Sequence, residues 1–272
     1  MKQWVIMVTM LLVSLNTFSA ERIITLGSDI TEMVYELDAQ TQLIARDSTS
    51  IYPAAALSLP NIGYMQRLNI EGILSLHPTL VIASEFAKPT TVLAQLEKNG
   101  VKVINVAEQR SLNAIPEKIM TVAKAVGKVP QGQQRIEQFK KQLAAVKTTP
   151  IDKKVLFLMS HGGMQLITAG QDTVADNIIT LVGAKNVMSE FKGYRLLSLE
   201  GLASSQPDLI IMTKEGIKSL GGVDNVWKLK GLAITPAGKH KALLIVDDVR
   251  MLSFSLGTPD VMQQLREALE KL

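Results

Sequence analysis

Glu71-Gly72-Ile73-Leu74-Ser75-Leu76-His77-Pro78-Thr79-Leu80-Val81-Ile82 returns 129 residues later as Glu200-Gly201-Leu202-Ala203-Ser204-Ser205-Gln206-Pro207-Asp208-Leu209-Ile210-Ile211, identical at six of twelve positions. Each copy reads as a short helix, a proline and a strand of β-branched and apolar residues. One such unit in each half of a 272-residue chain points to two lobes built on one plan.

The segments around each copy support this. Before and after the first copy, residues 23–26, 43–45, 80–83 and 101–106 are apolar runs of strand length. Helical patterns lie between them at 30–37, 70–76 and 91–98, the last stopped by Asn99-Gly100. Around the second copy, strands are predicted at 155–159, 165–168, 209–212 and 243–246, with helices at 174–182, 199–204 and 259–272. Strands alternating with helices predict an α/β fold with parallel sheets.

Between the halves, residues 115–146 read as helix throughout, broken at Gly127-Lys128-Val129-Pro130. Pro130 suits the first turn of a second helix. Ile136, Phe139, Leu143 and Val146 then fall at spacings of three and four and form one apolar stripe. A helix of this length, about 25 Å, is long enough to pass from one lobe to the other. The expected division is a leader at 1–20, an N-terminal α/β lobe at 21–129, an inter-lobe helix at 130–149 and a C-terminal α/β lobe at 150–272. The ligand cleft is expected between the lobes and changes little on binding.

The leader follows from the first residues. Lys2 is followed by an apolar stretch from Trp4 to Leu15, then by Asn16, Thr17, Ser19 and Ala20. A dozen apolar residues are too few to span a bilayer of roughly 30 Å, and the pattern is that of a cleaved secretory signal. Cleavage after Ser19 and after Ala20 both remain open. Loss of residues 1–20 removes only Lys2, leaving 28 basic and 25 acidic residues and a charge of +3. No other stretch approaches 18 apolar residues, so the mature chain is expected to be soluble in the periplasm of a Gram-negative cell.

The chain contains no cysteine. That excludes disulfides, thiolate metal sites, a catalytic cysteine and a lipid-modified N-terminal cysteine. The charge is mild, and no dense basic run with interleaved aromatics argues for nucleic acid. There is no G-x-S-x-G, G-x-G-x-x-G or H-E-x-x-H motif, so no enzyme is expected. Ser160-His161-Gly162-Gly163 has the look of an oxyanion-hole loop, but no nucleophile motif accompanies it.

Three histidines and four tyrosines are left as candidate ligands. His77 precedes Pro78 in the repeat and His240 lies between two lysines; both read as surface residues. His161 follows the strand 155–159 at its carboxyl end, where open α/β sheets place ligands. It is either a ligand or a packed loop residue. Tyr64 sits in a loop just before the first repeat copy. A tyrosine is a known axial ligand of haem iron, and the nearby Arg67 would favour its phenolate. A packing role stands beside that reading.

The run Asn61-Ile62-Gly63-Tyr64-Met65-Gln66-Arg67-Leu68-Asn69-Ile70-Glu71 resembles the tyrosine loop of the periplasmic haem-binding proteins that feed ABC-type haem importers. His161-Gly162-Gly163-Met164, with Ala169-Gly170-Gln171-Asp172-Thr173-Val174-Ala175-Asp176, is similar to that family's second-lobe signature. The resemblance extends over essentially the whole mature chain. It implies a non-enzymatic carrier of haem as transported ligand, with Tyr64 as axial iron ligand and His161 approaching from the opposite lobe. His161 is then either a second ligand or the ligand of a second stacked haem. Arg67 and Arg195 are the implied partners of the haem propionates, although Gln66 intervenes where family loops often read Tyr-Met-Arg. Glu71 and Glu200 are implied as the glutamates, one per lobe, that dock on the two permease subunits; a helix N-terminal role is the other reading. The implied partners are an inner-membrane ABC permease with its ATPase and an outer-membrane haem receptor system. A ferric siderophore or cobalamin carrier of the same fold, and a periplasmic hydrolase, are the alternatives.

Overall fold

The structure is a computed structural model describing residues 21–107, 111–160 and 165–272. The expected leader at 1–20 and the candidate His161 lie outside the described residues.

The first lobe runs β1 (Ile23–Leu26), α1 (Ser28–Glu36), β2 (Leu43–Arg46), α2 (Ile70–Leu74), β3 (Leu80–Ser84), α3 (Thr90–Lys98), β4 (Lys102–Val106) and α4 (Ile115–Ala125). Its sheet has the order β2-β1-β3-β4, with every neighbouring pair parallel. A parallel sheet covered by helices on both faces needs strands that are apolar on both. Here Ile23, Leu80 and Ile82 pack on one face with Ile30 of α1 and Ile119 of α4. Ile24, Val81 and Ala83 pack on the other with Ile73 of α2 and Leu96 of α3.

α5 (Val129–Ala145) connects this lobe to the next and packs against α4. The two helices approach closely at Gly132, where a Cβ would lie 2.5 Å from that of Ala123. The predicted stripe turns inward: Phe139 is fully buried, and Ile136 and Leu143 pack against the same cluster. The helix ends at Ala145 because Val146 is already extended.

The second lobe runs β5 (Lys154–Ser160), β6 (Leu166–Ala169), α6 (Val174–Leu181), β7 (Lys185–Asn186), β8 (Tyr194–Leu196), α7 (Leu199–Ser205) and β9 (Leu209–Thr213). It continues with α8 (Lys214–Ser219), α9 (Val223–Val226), α10 (Pro236–His240), β10 (Leu243–Val246), α11 (Asp248–Leu252) and α12 (Thr258–Glu270). Its sheet has the order β10-β9-β5-β6-β8, with β7 also paired to β5. The strands β10, β9, β5 and β7 are mutually parallel, as expected. β6 and β8 are antiparallel and make this sheet mixed, a departure from the purely parallel expectation. Only residues 161–165 separate β5 from β6. A parallel crossover needs a dozen or more residues, so so short a link enforces an antiparallel return.

The sequence repeat is also a structural one. β3 lies between β1 and β4, and β9 between β5 and β10, each preceded by its short helix. The residue before the shared proline is left-handed in both copies, with φ of 48° at His77 and 43° at Gln206. The apolar core is continuous between lobes: Val122 and Phe139 belong to the same buried cluster as Phe157 and Leu265. α12 packs back against α5 and closes the joint. Among the described residues, no helix is long and apolar enough to cross a membrane.

Candidate functional site

A cavity of about 750 Å³ lies between the lobes and is lined by both. It sits where the carboxyl ends of the strands converge, as ligand sites of open α/β sheets do. Gly27 and Asp29 follow β1, Ser84 and Phe86 come from the end of β3, and Met159 lies near the end of β5. Glu215 follows β9 and Asp248 follows β10. Ile51, Met65, Phe86, Val174, Leu252 and Phe254 give the walls an apolar character.

Tyr64 lines this cavity and remains 43% exposed. Its loop is held by backbone hydrogen bonds on both sides. The Ile62 amide donates to Arg46 O (3.0 Å) and the Ser48 amide to Gly63 O (2.8 Å). Beyond the tyrosine, the Arg67 amide closes a turn onto Tyr64 O (2.8 Å), while the Leu68 amide donates to Lys88 O (3.0 Å) and the Lys88 amide to Met65 O (2.7 Å), tying Met65–Leu68 to the segment after β3. Gly63 has φ of 93°, which a side chain disfavours, so the turn into Tyr64 depends on a glycine.

The wall beside it is fixed by buried polar groups. Asp47 is fully buried and accepts from the Gly27 amide (3.1 Å), the Thr49 amide (3.0 Å) and the Ser50 hydroxyl (2.5 Å). The Thr31 hydroxyl bridges Gly27 O (3.1 Å) and Ser50 Oγ (2.8 Å). This network joins the β1–α1 turn to the loop after β2. Asp29, a largely buried member of the wall, is neutralised by Lys118 at 2.6 Å.

Tyr194, at the start of β8, lines the cavity from the second lobe and is also 43% exposed. Outside the cavity lining, Arg250 of α11 crosses between the lobes. It donates to the Tyr52 hydroxyl (2.8 Å), pairs with Asp260 (3.1 Å) and approaches Glu32 Oε1 of α1 (3.8 Å). Gly257 leaves room for this side chain: a Cβ there would lie 2.4 Å from Arg250 Nε. Burial pushes the Glu32 carboxyl up to about 7, against the opposing pull of Arg250 and a hydrogen bond with Ser255.

Of the residues singled out from sequence, Tyr64 lies in the cavity wall. Arg67 and Arg195 do not line the cavity; Gln66 and Tyr194 do so in their place. Arg195 lies over the Phe191 ring at 4.6 Å. Glu71 and Glu200 are exposed in the first turns of α2 and α7. Each of these helices is capped by a side chain, Asn69 in one and Ser198 in the other. Sequence reading missed Tyr194 as a lining residue and missed the Glu32–Arg250–Tyr52 cluster. The polar run Asp47-Ser48-Thr49-Ser50 after a predicted strand was a usable sign of the Asp47 network. Among the described residues, no group of three or more metal-binding side chains is gathered.

A family model described as periplasmic binding protein matches residues 23–249. The chain belongs to that family. Among solved structures, this periplasmic binding protein is similar to the periplasmic heme-binding protein RhuT from Roseiflexus sp. RS-1. The two are 36% identical with a TM-score of 0.85, over 93% of this chain and 98% of RhuT. It is likewise similar to the periplasmic heme-binding protein HutB of Vibrio cholerae, at 35% identity and a TM-score of 0.82, over 92% and 99% of the two chains. A vitamin B12-binding protein of Vibrio cholerae serotype O1 is 26% identical over 219 residues, 80% of this chain and 79% of the relative.

Proposed function

We propose that this periplasmic binding protein carries haem between its lobes to an inner-membrane ABC permease and catalyses no reaction. The observation that carries the reading is Tyr64: a half-exposed phenol on a pinned turn, at the wall of an apolar cavity. A ferric porphyrin presents a flat apolar ring and an iron that accepts an anionic oxygen ligand, and this wall offers a surface for both. Names of neighbours at 35–36% identity support the same cargo. A corrin arrives with its cobalt already ligated from one face and needs no phenol, so Tyr64 favours haem over the cobalamin named for the more distant relative.

In this reading Tyr64 is the axial iron ligand and His161 approaches from the second lobe. Glu71 and Glu200 meet the two permease subunits; their equivalent places in the repeat and their exposure support the pairing. An ATPase drives the permease, and an outer-membrane receptor system supplies the haem. The leader at 1–20 directs the chain to the periplasm, where lobes 21–129 and 150–272, joined through 130–149, act in solution.

Titration with hemin tests this. A high-spin ferric spectrum with saturable stoichiometry is expected, and Tyr64→Ala weakens or abolishes it. Unchanged affinity and spectrum in that variant, or a preference for cobalamin or a ferric siderophore in competition, refutes it.

A further inference from the structure

Two stretches of the cavity wall, one from each lobe, are joined by a single pair of side chains. In the first lobe Thr49 and Ile51 line the cavity, and Tyr52 follows them. In the second lobe Asp248, Leu252 and Phe254 line it, and Arg250 lies among them in sequence. Tyr52 and Arg250 stand outside the lining and meet each other. Arg250 Nη2 donates to the Tyr52 hydroxyl (2.8 Å), and the guanidinium lies 4.8 Å from the centre of the tyrosine ring. Each partner is anchored on its own side. Asp260, in the first turn of α12, holds Arg250 Nη1 at 3.1 Å. Tyr52 continues the loop whose Thr49 and Ser50 are bonded to Asp47, which also accepts from the Gly27 amide. Glu32 Oε1 of α1 lies 3.8 Å from Arg250 Nη2 and gives it a second first-lobe neighbour. The pair thus spans two fixed walls and not two loose loops.

We infer that Tyr52 and Arg250 are positioning residues that clasp the two walls of the cavity, and that cargo enters and leaves through the opening of this contact. The inference rests on the haem reading only for its choice of cargo. A hydrogen bond from a guanidinium is stronger than one between neutral groups, and the Arg250 side chain is only 21% exposed. Losing such a bond is worth about tenfold in the equilibrium between closed and open walls. The clasp lies outside the lining, so its opening is a step shared by entry and exit. Weakening it therefore speeds both by a similar factor and leaves affinity nearly unchanged. Loss of a contact to the ligand itself has a different signature: exit alone accelerates and binding weakens.

Two measurements test the clasp. Stopped-flow mixing with hemin reads entry, and transfer of bound hemin to excess apomyoglobin reads exit. Tyr52→Phe keeps the ring and removes the hydroxyl; both rates are expected to rise about tenfold, with their ratio held within about threefold. Arg250→Lys keeps a charged donor without the planar fork and is expected to raise both by a smaller factor. The second measurement needs no ligand. Because the chain has no cysteine, nitroxides on Lys98→Cys and Lys230→Cys, both exposed and one in each lobe, report the inter-lobe distance by pulsed EPR. Tyr52→Phe is expected to broaden that distribution. Rates that fail to rise together by at least about threefold overturn the inference, and so does an unchanged ligand-free distribution. A wild-type protein that binds no hemin removes the haem reading alone, and the distance distribution then decides for or against the clasp.

Discussion

Replacing Glu32 by glutamine alters how stability depends on pH, and the size of the change follows from where the carboxyl lies. Glu32 is 1% exposed, one of its oxygens has no partner, and Arg250 is 3.8 Å from the other. Burial raises its pKa from 4.5 to about 7, with Glu36 and Asp29 on the same helix adding to the rise. A folded value above the unfolded one means that the protonated carboxyl stabilises the fold. That contribution is complete below 4.5 and is lost as pH rises through 7. Between about pH 5 and about pH 8 the loss is on the order of 2–3 kcal/mol. Glutamine keeps the shape but cannot ionise, and all other titrating groups are common to both proteins and cancel. The unfolding free energy of Glu32→Gln relative to wild type is therefore expected to rise over that range by an amount on the order of 2–3 kcal/mol, measured by urea denaturation at about four pH values. A difference constant to within about 0.5 kcal/mol refutes the reasoning.

Three further substitutions probe the packing of the fold. Lys118→Met leaves Asp29 buried without its partner and is expected to cost about 3–5 kcal/mol, with much of the loss recovered when Asp29→Asn is added; denaturant titration reads both. Gly238→Ala places a Cβ 1.9 Å from Leu232 O and is expected to lower stability by about 1–3 kcal/mol. Gly72→Ala meets nothing within 4 Å inside α2 and is expected to raise it by about 0.5–1 kcal/mol. Thermal midpoints of the two alanine variants should thus move in opposite directions.

Much of the architecture is legible in the chain because it is written locally. The two central strands of the first lobe, β1 and β3, are buried on both faces, so their sequences are nearly continuous apolar runs. The twice-used Pro-strand unit marks both lobes, and Phe139 in the stripe of α5 marks the face that turns inward. The mixed edge of the second sheet is harder to read. β8 is three exposed residues, Tyr194–Leu196, with no buried alternation to give it away. The contact between Arg250 and Tyr52 joins positions 198 residues apart, and no local pattern encodes such a meeting. The same holds for the cavity wall. Tyr64 stands out by its loop, but the second-lobe residues that line the cavity with it, Asp172, Tyr194 and Glu215 among them, meet it only once both lobes are assembled.

The loop that presents Tyr64 is tied down by main-chain bonds before any ligand arrives. The entropy of ordering it is lost at folding, not at encounter, so capture involves no waiting for the site to assemble. In kinetic terms, arrival is set by diffusion and by the narrowness of the approach, and ligands differ chiefly in how long they stay.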